Sequence, residues 1–156
     1  MTNRTSELFQ PIQTAIGILD GRDAIFLDRV HYDIYPLKLT LIGSLNGTLS
    51  SAGQSGIFYD YCLTFFDIQA LQTVELDLAL PPEGHSSFDQ VLNSRWLSRL
   101  QLADERNVVP QTIVARCNHY RLWTYDYVFD VICSRYELTV QADHPGTPQA
   151  DGAGVH

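Results

Sequence analysis

Few of the side chains able to do chemistry stand at spacings that would let them act together. The five histidines are His31, His85, His119, His144 and His156. None is paired with another histidine or a cysteine at the helical or turn spacing of a metal site. The three cysteines, Cys62, Cys117 and Cys133, sit among apolar and aromatic neighbours. Their number is odd and no two are close enough for a zinc or redox motif, so they read as free thiols buried in a reducing compartment. Cys117 and His119 are two residues apart, which on a strand places them on one face. The nearby Arg116 and Arg121 could lower a thiol pKa. Such a pair also needs an oxyanion site, and the sequence offers none, so the expectation is a structural cysteine beside a surface histidine. Glu75 and Asp77 alternate as acids do on the wet face of a sheet. Asp126 and Asp130 have the same plain explanation. There is no Gly-x-Ser-x-Gly elbow. The glycines around residues 46–56 lack the Gly-Lys-Ser/Thr that would make a phosphate loop. No residue is therefore assigned a catalytic, metal-ligating or cofactor-binding role, and no cofactor is expected.

One pattern does stand out. Aromatics and acids mix in Phe58-Tyr59-Asp60-Tyr61 and again in Trp123-Thr124-Tyr125-Asp126-Tyr127. Tyrosine and tryptophan bury much area at low entropic cost and keep a polar handle, which suits protein interfaces. Tyr59, Asp60, Tyr61, Tyr125, Asp126 and Tyr127 are thus candidate partner-binding residues. Half-buried tyrosines packing a sheet would explain the same pattern.

Charge narrows the partner. The formal net charge is −8, and Lys38 is the single lysine. Phosphate backbones and anionic membrane surfaces select basic proteins, so nucleic acid and membrane are both disfavoured. An acidic surface steers toward a basic protein partner, or simply keeps the chain soluble. The N-terminus has no basic patch followed by an apolar run, and no apolar stretch approaches the ~20 residues of a membrane helix. The expected location is the cytoplasm.

The elements that must carry these residues follow from periodicity. Residues 1–10 read as a polar lead-in. Ile12, Ala15, Ile16 and Leu19 fit one face of a short helix begun by Pro11. Residues 24–34 and 37–45 alternate as two strands, with Ile25, Leu27 and Arg29 on one side and Phe26, Asp28 and Val30 on the other. Asn46 to Gly56 is a loop by its turn chemistry. Strands are expected over 57–66 and over 68–80, the latter with Val74, Leu76, Leu78 and Leu80 on its buried face. The main helix is placed at 87–100, where Ser87 and Gln90 match a capping box and Phe88, Val91, Leu92, Trp96 and Leu100 form a stripe. Residues 112–124 read as a strand punctuated by Tyr125-Asp126. The segment 127–133 fits both templates, and its β-branched and aromatic content favours strand. A last strand covers 136–140.

These elements compose an α+β domain: a single, mainly antiparallel sheet of about six strands with one main helix, 87–100, packed on a face. The domain is expected to span residues 1–141. The Pro/Gly/Ala-rich segment 142–156 is expected to be a disordered tail.

The run Phe58-Tyr-Asp-Tyr-Cys-Leu-Thr-Phe-Phe66, the Val-Glu-Leu-Asp segment after it, and His119-Tyr-Arg-Leu-Trp-Thr-Tyr-Asp-Tyr-Val-Phe-Asp-Val-Ile132 resemble small uncharacterised acidic bacterial proteins. Some proteins of that kind are immunity proteins of contact-dependent toxin systems. The likeness spans about residues 18–140 and rests on packing patterns. It implies a non-catalytic cytoplasmic protein that neutralises a toxin partner, and it carries over no catalytic residue. The rival expectation is an enzyme or small-ligand binder whose site is assembled from distant strands.

Overall fold

The computed structural model describes residues 5–107 and 112–142. The strands are β1 (Leu8–Pro11), β2 (Ile25–Ile34), β3 (Leu37–Asn46), β4 (Phe58–Phe66), β5 (Ala70–Glu75), β6 (Phe88–Leu92), β7 (Asn118–Trp123), β8 (Tyr127–Cys133) and β9 (Arg135–Ala142). Helix α1 spans Arg95–Glu105, and the single turn α2 spans Thr112–Ala115. The strands form two antiparallel sheets, a five-stranded one in the order β1-β6-β7-β8-β5 and a four-stranded one in the order β2-β3-β4-β9. The expected single sheet of about six strands under a packed 87–100 helix is therefore wrong.

The two sheets share one core. Leu39, Leu41, Leu63 and Phe65 from the four-stranded sheet meet Phe88, Tyr120, Leu122, Phe129 and Val131 from the other. The Phe65 ring lies 6.4 Å from Phe88 and 6.0 Å from Tyr120, and Tyr136 lies 5.3 and 5.0 Å from the same two rings. Edge-to-face and tilted aromatic pairs at this range add to the burial they accompany.

The helix misreading has a physical origin. β6 is covered on both faces: Phe88 enters the inter-sheet core, while Asp89 and Val91 are buried on the opposite side. A strand buried twice over loses its alternation, and Phe88, Val91 and Leu92 then mimic helical spacing. The Ser87 hydroxyl caps no helix; it bonds to the Gly21 amide and carbonyl. The real helix starts seven residues later, where Ser94 accepts from the Leu97 amide as N-cap and Asn93, at φ 55°, turns the chain out of β6.

Other expectations shift in similar ways. Pro11 ends β1 opposite Asp89 instead of opening a helix, and β1 is an edge strand, where a missing donor is tolerated. Ile16 and Leu19 still reach the core from a loop. β2 carries a bulge at Asp28, because Leu27 pairs with Gly43 and Arg29 with Ile42. That reverses the expected alternation, so Val30 joins the core-side face and Arg29 the outer one. Gly43 permits it, since a Cβ there would lie 1.9 Å from the Phe26 carbonyl oxygen. After Glu75 the chain leaves β5 for a 3-10 turn at Leu76–Leu78. Leu78 and Leu80, expected inside, are exposed. The strand expected over 112–124 begins only at Asn118. The ambiguous 127–133 is strand β8. Ala142 pairs with Tyr59 in β9, and the rest of the expected tail lies outside the described residues.

Candidate functional site

The chemistry gathers on the outer face of the five-stranded sheet. Across β5, β8, β7 and β6, the residues Gln72, Asp130, Arg121 and Asp89 stand directly opposite one another. Two pairs toward the far end of the β7–β8 hairpin stand His119 and Ile132, and two pairs toward its turn stand Trp123 and Val128. Side chains on one face of a strand alternate with the other, so His119, Arg121 and Trp123 project together while Tyr120 and Leu122 enter the core.

Three of these residues and the helix cap form a buried polar chain. Ser94 Oγ lies 2.7 Å from His119 Nδ1, and His119 Nε2 lies 2.7 Å from Asp130 Oδ1. Arg121 Nε donates to the same Oδ1 at 2.7 Å. Burial alone would raise the Asp130 pKa, but the hydrogen bond from His119 and the charge of Arg121 outweigh it, and the net shift is downward. An ionised Asp130 is acceptor-only, so Nε2 carries a proton toward it. In the neutral ring Nδ1 then accepts, and the Ser94 hydroxyl donates to it while taking the Leu97 amide on a lone pair. The Ser94 hydroxyl and both ring nitrogens of His119 are thereby paired. Trp96 of α1 closes over the ring edge-on at 5.6 Å.

Ser, His and Asp linked in this order are the parts of a nucleophilic triad. Their setting here is sealed. His119 is 3% exposed and Ser94 Oγ is already committed to the helix. The first-turn amides of Arg95 and Leu97, which could hold an oxyanion, donate to Glu7 and Ser94. The arrangement therefore anchors α1 to the sheet. The expected surface histidine is in fact buried, and Cys117 is no partner to it: that thiol donates to the Ile113 carbonyl. Burial raises the Cys117 pKa and pushes Cys133 up to about 12, which makes both poor nucleophiles.

Only the Asp130–Arg121 end of the chain meets open space. A cavity of about 290 Å³ is lined by Gln72, Val74, Leu80, Arg121, Trp123 and Asp130 among others. Trp123 and Ala79 also line a second cavity of about 470 Å³, with Asp20, Arg22, Asp77 and His85 around it. The indole and residues of the segment 76–81 thus border both hollows. Its ring lies 4.7 Å from that of His85, tilted by 31°, and among the described residues its buried Nε1 has no hydrogen-bond partner. Neither lining includes Ser94 or His119.

The aromatic–acidic stretches divide between core and surface. Tyr61 is buried in the core, and that burial raises its pKa. Tyr59 is half-buried, its hydroxyl accepting from the Gln54 amide. Asp60 is exposed on the outer face of β4, level with Ser44. Tyr125, Asp126 and Tyr127 are exposed at the β7–β8 turn. There Tyr125 stacks on Phe26 at 5.4 Å, Phe26 meets Phe58 at 6.1 Å, and Arg22 lies over the Tyr125 ring while pairing with Asp77. So Tyr125, Asp126 and Tyr127 come together beside the larger cavity, and Tyr61 does not join them. Glu75 and Asp77 form no acid pair, since Asp77 lies in the 3-10 turn.

Sequence reasoning missed Ser94, His119, Asp130 and Arg121 as a group. The signal was the Tyr125-Asp126 punctuation. A hairpin centred there sets Arg121 opposite Asp130 and His119 opposite Ile132 by counting alone.

Among the described residues no group of three histidines, cysteines or carboxylates could hold a metal ion, and no helix is long and apolar enough to cross a membrane. Compared with known proteins, the chain matches no family model, no curated protein and no solved structure.

Proposed function

We propose that this chain is a non-catalytic protein-binding domain that grips a basic protein with the end of the fold bearing the β7–β8 turn. One observation carries the reading. The exposed Leu78 and Leu80 line the smaller cavity, Asp20 and Asp77 line the larger, and at the adjoining turn the exposed Tyr125 is tied to the larger cavity by Arg22, which lines it and lies over the Tyr125 ring. Leu78 and Leu80, 76% and 91% exposed, stand together at the smaller cavity, and it is neighbouring exposed apolar side chains that mark interaction sites. Aromatic anchors beside a socket, ringed by charge, are how hot spots are built. With a net charge of −8 the complementary partner is basic. A toxin is the partner that the likeness to immunity proteins implies, and the cytoplasm, where three free thiols persist, is the matching location.

The test is capture of a partner by the full chain, with Tyr125→Ala and Leu80→Asp variants alongside. The expected result is a protein of high pI whose retention falls as salt rises and weakens about 30-fold in either variant, the size of a hot-spot loss. A partner held equally well at high salt and by both variants would overturn the assignment. A small ligand in the larger cavity is the second reading, favoured by the unpartnered Trp123 Nε1. It predicts that a bound compound changes the Trp123 emission while Tyr125→Ala leaves the affinity intact.

A further inference from the structure

The four-stranded sheet ends on β2, whose outer edge pairs with nothing among the described residues. The start of that edge is covered, because the Tyr125 amide donates to the Ile25 carbonyl at 2.8 Å. Beyond the Asp28 bulge no described residue pairs with it. Its core-side residues overhang the five-stranded sheet: Val30 and Tyr32 are 40% and 47% exposed, Ile34 83% and the turn residue Tyr35 98%. The middle of this region, His31, lies about 20 Å along the strand from Ile25, at 3.3 Å per residue. It is a separate feature.

Edge strands are usually blunted by bulges, charges or short length. β2 has the bulge and the charges, yet the charges are ordered in a way that suits one partner. Arg29, His31 and Asp33 alternate on the outer face, with Val30 and Tyr32 on the other. Turn a second copy antiparallel about His31. Arg29 then faces Asp33 of the copy at both ends, Val30 faces Tyr32, and His31 faces itself. Like-sided residues meet, opposite charges meet, and apolar side chains meet. Arg29 has no hydrogen-bond or ion-pair partner within its own chain among the described residues, so it is available for this contact. Asp33 already holds Lys38 at 3.3 Å and His31 at 3.4 Å, both loosely and in solvent.

We propose that two copies of this chain associate through residues 29–33 of β2 in this register, joining their four-stranded sheets into one of eight strands. The backbone supplies the unmet donors and acceptors of the edge, and the charge order selects the register and the partner. A two-fold contact of this kind is self-complementary and closes, so it stops at the dimer.

The experiment is sedimentation equilibrium on the full chain, with circular dichroism confirming that each variant is folded. The unaltered chain is expected to dimerise. Arg29→Asp sets two acids against each other twice and should weaken the dimer about tenfold. Combining Arg29→Asp with Asp33→Arg restores opposite charges across the contact, although it still lacks the intrachain pairs of Asp33, and should recover the dimer. An unaltered chain that stays monomeric throughout would overturn the proposal. So would a dimer indifferent to Arg29→Asp, or a double variant no tighter than the single.

Discussion

Asp130 is the residue on which the outer face depends. It is buried, ionised, and takes both His119 and Arg121 on one oxygen. Removing one member of such a group leaves the others buried without a partner, which costs more than the bond itself contributes. Asp130→Asn should therefore lower stability by about 3 kcal/mol, or about 10 °C in Tm for a chain of this size. The pH dependence has a definite sign. The folded pKa of Asp130 lies below its ordinary value, so its contribution is complete above the unfolded pKa of about 3.9 and is lost as pH falls through the folded one. Denaturation of both proteins from pH 7 downward should show the gap between them constant to about pH 5 and closing below pH 4. A gap that held or widened in acid would mean that Asp130 is not the charged partner of Arg121.

At the scale of elements, α1 is held by its N-cap, Ser94, more than by its stripe. No residue of α1 is fully buried, so little hydrophobic burial fixes it. Ser94 does two jobs instead, capping the helix and donating to His119. A lost cap costs about 1 kcal/mol and an unpaired buried imidazole nitrogen about 1–3 more. Ser94→Ala should thus cost about 3 kcal/mol in urea denaturation, whereas Ser94→Thr, which keeps the hydroxyl, should cost less than about 1. A cost for alanine no greater than that of an ordinary cap would show that the His119 bond contributes nothing. The same element shows where the sequence was legible. β3, β4, β8 and β9 could be read because each alternates or is rich in β-branched and aromatic residues. β6 could not, because burial on both faces erased its period. The bulge at Asp28 was invisible too: nothing in the local pattern marks it, and the glycine that allows it, Gly43, sits on the neighbouring strand. At the candidate site the exposed turn residues Tyr125, Asp126 and Tyr127 were readable, since turn chemistry and composition coincide there. The burial of Tyr61 was not readable, because which way its side chain faces is a property of the whole sheet.

At the scale of the molecule, the question is whether two sheets make one cooperative unit. Their tryptophans are unevenly placed. Trp123 lies in β7 and Trp96 in the helix on that sheet, while β2, β3, β4 and β9 contain none. Tryptophan emission therefore reports the five-stranded sheet, and far-ultraviolet circular dichroism reports both. The inner faces leave little room for separate melting. Phe65 of β4 sits against Phe88 and Tyr120, Tyr136 of β9 closes the same cluster, and Phe65, Leu39 and Leu41 have no exposed surface at all. Exposing one inner face exposes the other, so neither sheet can lose its partner without leaving a large apolar surface in water. The two signals should follow one transition in guanidinium. Phe65→Ala, which removes the ring that both sheets share, should move both midpoints together by an amount corresponding to about 3–5 kcal/mol. If instead the dichroism fell in two steps, with tryptophan emission following only one of them, the aromatic cluster would not be what joins the sheets, and the four-stranded layer would have to be regarded as a unit able to open by itself.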